Sequence, residues 1–287
     1  MTEVNGPLVN MFNAGTGLLR LGSTAGAKTR STTASRFKPV THVIFDMDGL
    51  LLDTENLYTR AAETVAVTVW QNVTWELKKR VMGTPEADAA RTTIDFLGLP
   101  LTTDEYMAAL DHIFEETFPE AQLMPGIAGA DKLVRHLYAH DIPIAIATSS
   151  KPASFTLKMS RHREFLALFH HVVCSGGDPD VRRGKPHPDI FLVAASRFDE
   201  MPPPQKVLVF EDSVMGVKAA IAAGMQVVMV PDPRIDEEKR LLATTSLSSL
   251  LDFEPELFDL PGFEIPAQDQ KKRNHSYCLS ATRAPSQ

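Results

Sequence analysis

The sequence predicts a doubly wound α/β fold: a parallel sheet with helices on both faces and a helical unit inserted near its start. Short apolar runs recur at residues 43–45, 142–147, 171–174, 207–210 and 227–230, each with the length and composition of a buried parallel strand. Segments with helical spacing separate them, as a strand–helix alternation requires. Acids, hydroxyls and a lysine follow the runs, and an open parallel sheet collects its ligands beyond the carboxyl ends of its strands.

The first run, Val43-Ile44-Phe45, leads into Asp46-Met47-Asp48-Gly49 and then Leu50-Leu51-Leu52-Asp53-Thr54-Glu55. Two acids separated by one residue point the same way on an extended backbone, at a cost in repulsion and desolvation that a divalent cation offsets. From residue 57 to residue 123 helical stretches such as 58–70 and 104–117 occur without a convincing strand. This interval is read as an inserted helical cap, with the core built from residues 40–56 and 124–263. A unit that leaves just after the acidic loop and returns at Met124-Pro125-Gly126 sits over the mouth of a site built on Asp46, where a lid belongs.

After the cap, residues 128–140 place Leu133, Val134 and Leu137 on one helical face with charges between them. The run 142–147 ends in Thr148-Ser149-Ser150. Lys185 precedes Pro186-His187-Pro188, where a proline suits the first turn of a helix over 188–198. The run 207–210 ends in Glu211-Asp212, and the helix over 214–223 stops at Gly224. Carboxylates for a metal, hydroxyls and amides for phosphate oxygens, and a lysine for charge form a set suited to phosphoryl transfer.

The chain has 287 residues and a formal net charge of −7, from 29 basic and 36 acidic side chains, which excludes the general basic excess of a nucleic-acid binder. No apolar stretch approaches the roughly 20 residues that cross a bilayer. The two cysteines, Cys174 and Cys278, are far apart, as suits a reducing compartment. Residues 1–39 are rich in small polar residues and carry Arg20, Lys28, Arg30, Arg36 and Lys38 against the single acid Glu3. Two readings of this leader stand, a disordered extension of a cytoplasmic protein and a mitochondrial presequence. Residues 264–287, with Lys271-Lys272-Arg273, are read as a disordered tail. The expected partner is a small phosphorylated metabolite, with no nucleic acid and no membrane. The oligomeric state is left open, with a monomer as the default.

Other readings of the acidic loop fail on its own residues. A calcium loop of the helix–loop–helix type needs an oxygen ligand where Leu50 stands and a glycine where Leu51 stands. No glycine-rich loop ends in Lys-Ser or Lys-Thr, so nucleotide hydrolysis by that route lacks its cradle. His162, His170, His171 and His187 have no zinc spacing with cysteine and are read as surface or packing residues.

Asp46-Met47-Asp48-Gly49, Thr148, Lys185 and Glu211-Asp212 stand in the order and contexts of the four motifs of haloacid dehalogenase-like phosphohydrolases, which the chain resembles over about residues 41–263. The resemblance implies a Rossmann-like core and a phosphomonoesterase. Asp46 would be the nucleophile that becomes an aspartyl phosphate, and Asp48 the acid and then base, its backbone carbonyl also ligating Mg2+. Asp46, Glu211 and Asp212 would complete the metal's oxygen shell. Thr148 and the amide of Ser149 would hold phosphate oxygens, and Lys185 would neutralise their charge. The implied substrate is pseudouridine 5'-phosphate, with glycerol 3-phosphate the close rival and Thr54, Glu55, Tyr58, Met82 and Gly83 the candidates for specificity by position. A phosphomutase is disfavoured, because Tyr58 and Thr84-Pro85-Glu86 stand where β-phosphoglucomutases carry a histidine and a phosphate-binding arginine. A non-catalytic binder of phosphorylated ligands is disfavoured too, since neither the nucleophile nor the metal acids are missing.

Overall fold

The central strands are mostly apolar because both faces of the sheet are covered. The computed structural model describes residues 36–66, 72–123 and 129–263. Six strands, β1 (His42–Phe45), β2 (Ile144–Thr148), β3 (His171–Cys174), β4 (Val207–Glu211), β5 (Gln226–Met229) and β6 (Thr245–Ser246), form one sheet in the order β3-β2-β1-β4-β5-β6. Every pair is parallel. Chain direction across the sheet reverses at β1, so the crevice of the fold opens beyond β1 and its neighbours β2 and β4.

Successive strand residues feed opposite layers, as the period of two demands. Val43, Phe45, Ile144, Ile146, Leu208 and Phe210 join one core, covered by α5 (Ala130–Ala139) through Leu133, Val134 and Leu137. Ile44, Ala145, Ala147, Val207, Val209 and Val227 join the other, under α8 (Asp189–Ser196) and α9 (Val214–Ala222). Phe45 and Phe210 stack across β1 and β4 with ring centroids 4.9 Å apart, which fixes the two strands that carry the acids. Burying each such ring contributes about 1.5–3 kcal/mol.

Between β1 and β2 run α1 (Glu55–Ala66), α2 (Trp75–Val81), α3 (Glu86–Leu97) and α4 (Thr103–Thr117). Thr102 and Glu105 close a reciprocal capping box at the start of α4. The helices have a core of their own, with Leu77, Tyr106, Leu110, Phe114 and Phe118 at its centre. After β2 come α6 (Pro152–Met159) and α7 (Arg163–Leu166), and after β5 comes α10 (Glu237–Arg240).

Two expectations are corrected. The sheet has six strands rather than five, because β6 is two polar residues long and offers no apolar run to read. The first inserted helix starts at Glu55 instead of Tyr58, directly after the acidic loop. The far end of that expected helix, residues 67–70, lies outside the described residues, as do Met124-Pro125-Gly126, Cys278, the tail and residues 1–35 of the leader. Among the described residues no helix is long and apolar enough to cross a membrane.

Candidate active site

The ladder of β1 continues one residue past the strand, where the Asp46 amide donates to the Phe210 carbonyl at 2.9 Å. The chain then turns sharply: the amides of Leu51 and Leu52 both donate to the Met47 carbonyl, at 2.9 and 3.0 Å. Gly49 sits at φ +79°, and a Cβ there would lie 2.3 Å from Asp212 Oδ2, so glycine alone lets the loop lie against the second acid pair. The buried Leu50, Leu51 and Leu52 wedge the turn into the core.

Asp46, Glu211 and Asp212 are all buried and bring carboxylate oxygens within 4.8 Å of one another. Lys185 joins them: its Nζ donates to Asp46 Oδ1 at 2.5 Å, to Glu211 Oε1 at 2.6 Å and to the Ala147 carbonyl at 3.3 Å. The other oxygen of Glu211 accepts from the Ser213 amide and hydroxyl, at 3.1 and 3.0 Å. Glu211 is thus held on both sides by the protein. Its neighbour Gly216 makes room for it, since a Cβ there would come 1.7 Å from Oε1.

Three acids against one ammonium leave negative charge in excess. Burial pushes the Asp46 carboxyl up to about 8, opposed by Lys185 and reinforced by Glu211 and Asp48. Burial also raises Asp212, with Asp46 and Glu211 adding to it. Burial alone would lower the Lys185 ammonium, but Asp46 and Glu211 hold it above its ordinary value. A cluster of buried hard oxygen donors with surplus charge fits a small divalent cation such as Mg2+.

Asp48 points away from this cluster into a network that the sequence did not reveal. Its Oδ1 accepts from Lys158 Nζ at 2.6 Å and from the Thr54 hydroxyl at 2.7 Å; its Oδ2 accepts from Ser150 at 2.9 Å and Thr148 at 3.3 Å. Burial works to raise the Asp48 carboxyl, and the Lys158 charge and hydrogen bonds bring it below the usual range. Lys158 is wholly buried, donates also to Tyr58 Oη at 2.6 Å and Ser150 Oγ at 2.8 Å, and lies under the rings of Tyr58 and Phe118. The signal for Lys158 was faint. It falls four residues after the buried Ser154, on the inner face of α6, where a lysine is ordinarily read as surface.

Thr148 and Ser149 lie at the end of β2 as expected, but their hydroxyls are engaged, Thr148 on Asp48 and Ser149 on the Gly83 carbonyl at 3.2 Å. The loop at Ser175-Gly176-Gly177-Asp178-Pro179 buttresses this segment. The Ser175 amide donates to the Thr148 carbonyl at 3.0 Å, and Arg197 grips Asp178 through two hydrogen bonds of 2.5 and 2.8 Å. His162 pairs with the Ala121 carbonyl and His171 with that of Ala194, packing roles as read.

The inserted helices close over these groups. Lys78 pairs with Glu55 at 3.3 Å, and the Arg234 guanidinium lies 4.0 Å from the Trp75 ring centroid. A cavity runs from Asp46 and Asp48 past Glu55, Tyr58, Lys78, Met82 and Gly83 into the helical unit. Thr54, in contrast, is fully buried beneath Asp48 and serves its carboxylate.

Residues 43–230 match the family described as haloacid dehalogenase-like hydrolase. The chain is 50% identical over 226 residues to the "Probable pseudouridine-5'-phosphatase" of Drosophila melanogaster, an alignment that covers 79% of this chain and 96% of that one. It is 47% identical over 228 residues to "(DL)-glycerol-3-phosphatase 1, mitochondrial" of Arabidopsis thaliana, covering 78% and 75%. Among solved structures, the β-phosphoglucomutase of Clostridium difficile superposes with a TM-score of 0.62 at 19% identity, over 84% of this chain and 99% of the other, which is a likeness of fold.

Proposed function

Since the chain belongs to the haloacid dehalogenase-like hydrolases and its relatives are named phosphatases, we propose that it is a Mg2+-dependent phosphomonoesterase that forms an aspartyl phosphate on Asp46, with pseudouridine 5'-phosphate as substrate. The observation that carries the reading is the meeting of Asp46, Lys185 and Asp212 at the carboxyl ends of β1 and β4, under a closed helical unit. Identity of 50% to a protein named for pseudouridine 5'-phosphate supports the substrate. Glycerol 3-phosphate is the second reading, supported by the 47% relative named for it.

Lys185 holds Asp46 by Oδ1 and leaves Oδ2 to attack phosphorus. The same ammonium balances charge that spreads over the phosphoryl oxygens. Asp48 protonates the leaving oxygen and then takes a proton from the water that hydrolyses the aspartyl phosphate. Its lowered pKa suits the second role; the incoming phosphate dianion raises it for the first. Asp46, Asp212 and the Asp48 carbonyl would hold Mg2+, which when bound supplies positive charge for the meeting of carboxylate and phosphate. Glu211 keeps Lys185 in place while adding its charge to the cation site. The amide of Ser149 and the Thr148 position border the phosphate.

Phosphate release by purified protein with Mg2+, measured across pseudouridine 5'-phosphate, uridine 5'-phosphate and glycerol 3-phosphate, tests the reading. The highest kcat/KM is expected on pseudouridine 5'-phosphate, and a glycerol 3-phosphate preference would replace the substrate while keeping the chemistry. Asp46→Asn should lose at least a thousandfold in kcat and remain folded. Undiminished turnover by that variant would remove Asp46 from the reaction.

A further inference from the structure

Of the charged side chains that line the cavity above Asp46 and that catalysis does not use, Glu55 and Lys78 pair with each other, and Glu86 stands apart. Glu86, in the first turn of α3, lines it together with Tyr58, Lys78 and Ser149. Both carboxylate oxygens of Glu86 are buried, and among the described residues neither accepts a hydrogen bond. The Lys151 ammonium lies 3.3 Å from Oε2, an ion pair it shares with Asp111 at 3.9 Å. Burying a carboxylate without hydrogen bonds costs free energy that a donor arriving in the cavity recovers.

The position of Glu86 is fixed by tight backbone packing. A Cβ on Gly83 would come 2.2 Å from Ser213 Oγ, and one on Gly184 would come 2.4 Å from Pro85 Cγ. Ser149 Oγ donates to the Gly83 carbonyl at 3.2 Å. Ser213 follows Asp212 and Gly184 precedes Lys185, so residues 83–86 are clamped onto the neighbours of the charged centre. Further in, the cavity is lined by Leu77, Val81, Met107, Leu110 and Phe114.

We propose that Glu86 reads the organic half of the substrate: its carboxylate accepts hydroxyl or N–H donors from an uncharged body carrying a single phosphate, whose apolar face enters the helical unit. A second phosphate is rejected, because it would set a dianion against Glu86 where the surroundings are poorly screening. A carboxylate built to receive donors also discriminates against bodies that have none. The proposal rests on the phosphatase reading of Asp46.

The test compares kcat/KM for pseudouridine 5'-phosphate and glycerol 3-phosphate with that for phenyl phosphate, whose body carries no donor, in the unmutated protein and in Glu86→Gln. The ratio of the better hydroxyl-bearing substrate to phenyl phosphate should fall tenfold or more in the variant, chiefly through KM. A smaller fall overturns the proposal. The unmutated protein supplies a second measurement that does not depend on the variant's folding: the matching bisphosphate, pseudouridine 3',5'-bisphosphate or glycerol 1,3-bisphosphate, should show at least a tenfold lower kcat/KM than its monophosphate, and a smaller difference likewise overturns it. Unmutated protein that releases phosphate from none of these substrates sinks the phosphatase reading itself, whereas activity with an unchanged ratio sinks Glu86 alone.

Discussion

At the scale of single residues, the buried pair of Asp48 and Lys158 ties the proposed acid–base group to the rest of the site. Asp48 is held below the ordinary carboxylate range, so the pair contributes stability that is fully present above that range and is lost as pH falls through it. Removing only the lysine leaves a buried carboxylate with hydroxyl donors alone. Lys158→Met should therefore destabilise the protein by about 3 kcal/mol in urea unfolding and lower kcat at least tenfold. Replacing both partners, Asp48→Asn with Lys158→Met, should restore much of the stability and none of the activity, because neither buried charge is then left alone. A single Lys158→Met variant with unmutated stability and kcat would show that Lys158 merely fills space. Asp46 and the Glu211-Asp212 pair were legible because acids at strand ends have few structural uses, and Lys185 because it stands just before Pro186-His187-Pro188, where α8 opens, in the order of the four motifs. Lys158 was not, since a lysine in a helix is nearly always solvated and only its burial under Tyr58 and Phe118 gives it meaning.

At the scale of elements, the start of α9 shows how a helix can be shaped by the site it supports. Alanine in a helix interior is ordinarily better than glycine by about 1 kcal/mol. At Gly216 that gain is overwhelmed, because the added Cβ would lie 1.7 Å from Glu211 Oε1 and 1.8 Å from its Cδ. Gly216→Ala should cost about 1–3 kcal/mol and displace Glu211 from Lys185 and Ser213, lowering kcat along with the melting temperature. Gly98→Ala is the contrast: at φ +61° with no atom within 4 Å of the added Cβ, it should cost about 1 kcal/mol from backbone strain alone. Equal effects on kcat from the two substitutions would separate Gly216 from the site. The same local logic decides which elements could be read in advance. β1, β2, β4 and β5 are all but fully buried, so their apolar runs stand out, whereas β6 pairs through two polar residues at the sheet edge. α2 is a seven-residue helix with one buried residue, Leu77, and its amphipathic pattern is too short to stand out.

At the scale of the whole molecule, a parallel sheet sends every strand's carboxyl end to one edge, and this chain puts three buried acids there with one hydrogen-bonded ammonium among them. Such a concentration of charge opposes folding unless a cation is bound, so the site and the stability of the core are linked. A ligand that binds only the folded state stabilises it by about 2.7 kcal/mol at a hundredfold excess over its Kd. Mg2+ added to EDTA-treated protein should then raise the melting temperature by several degrees, and Ca2+ or Mn2+ should also shift it if oxygen donors alone hold the ion. Asp212→Asn, which removes an acid that Lys185 does not hydrogen-bond, should abolish the shift and leave the metal-free melting temperature equal or higher, because one of the repelling buried charges is gone. EDTA should also stop phosphate release, and restored Mg2+ should return it. If melting temperature and turnover both ignore EDTA and Mg2+, the acids are a structural cluster in which Lys185 alone balances the charge, and no metal takes part.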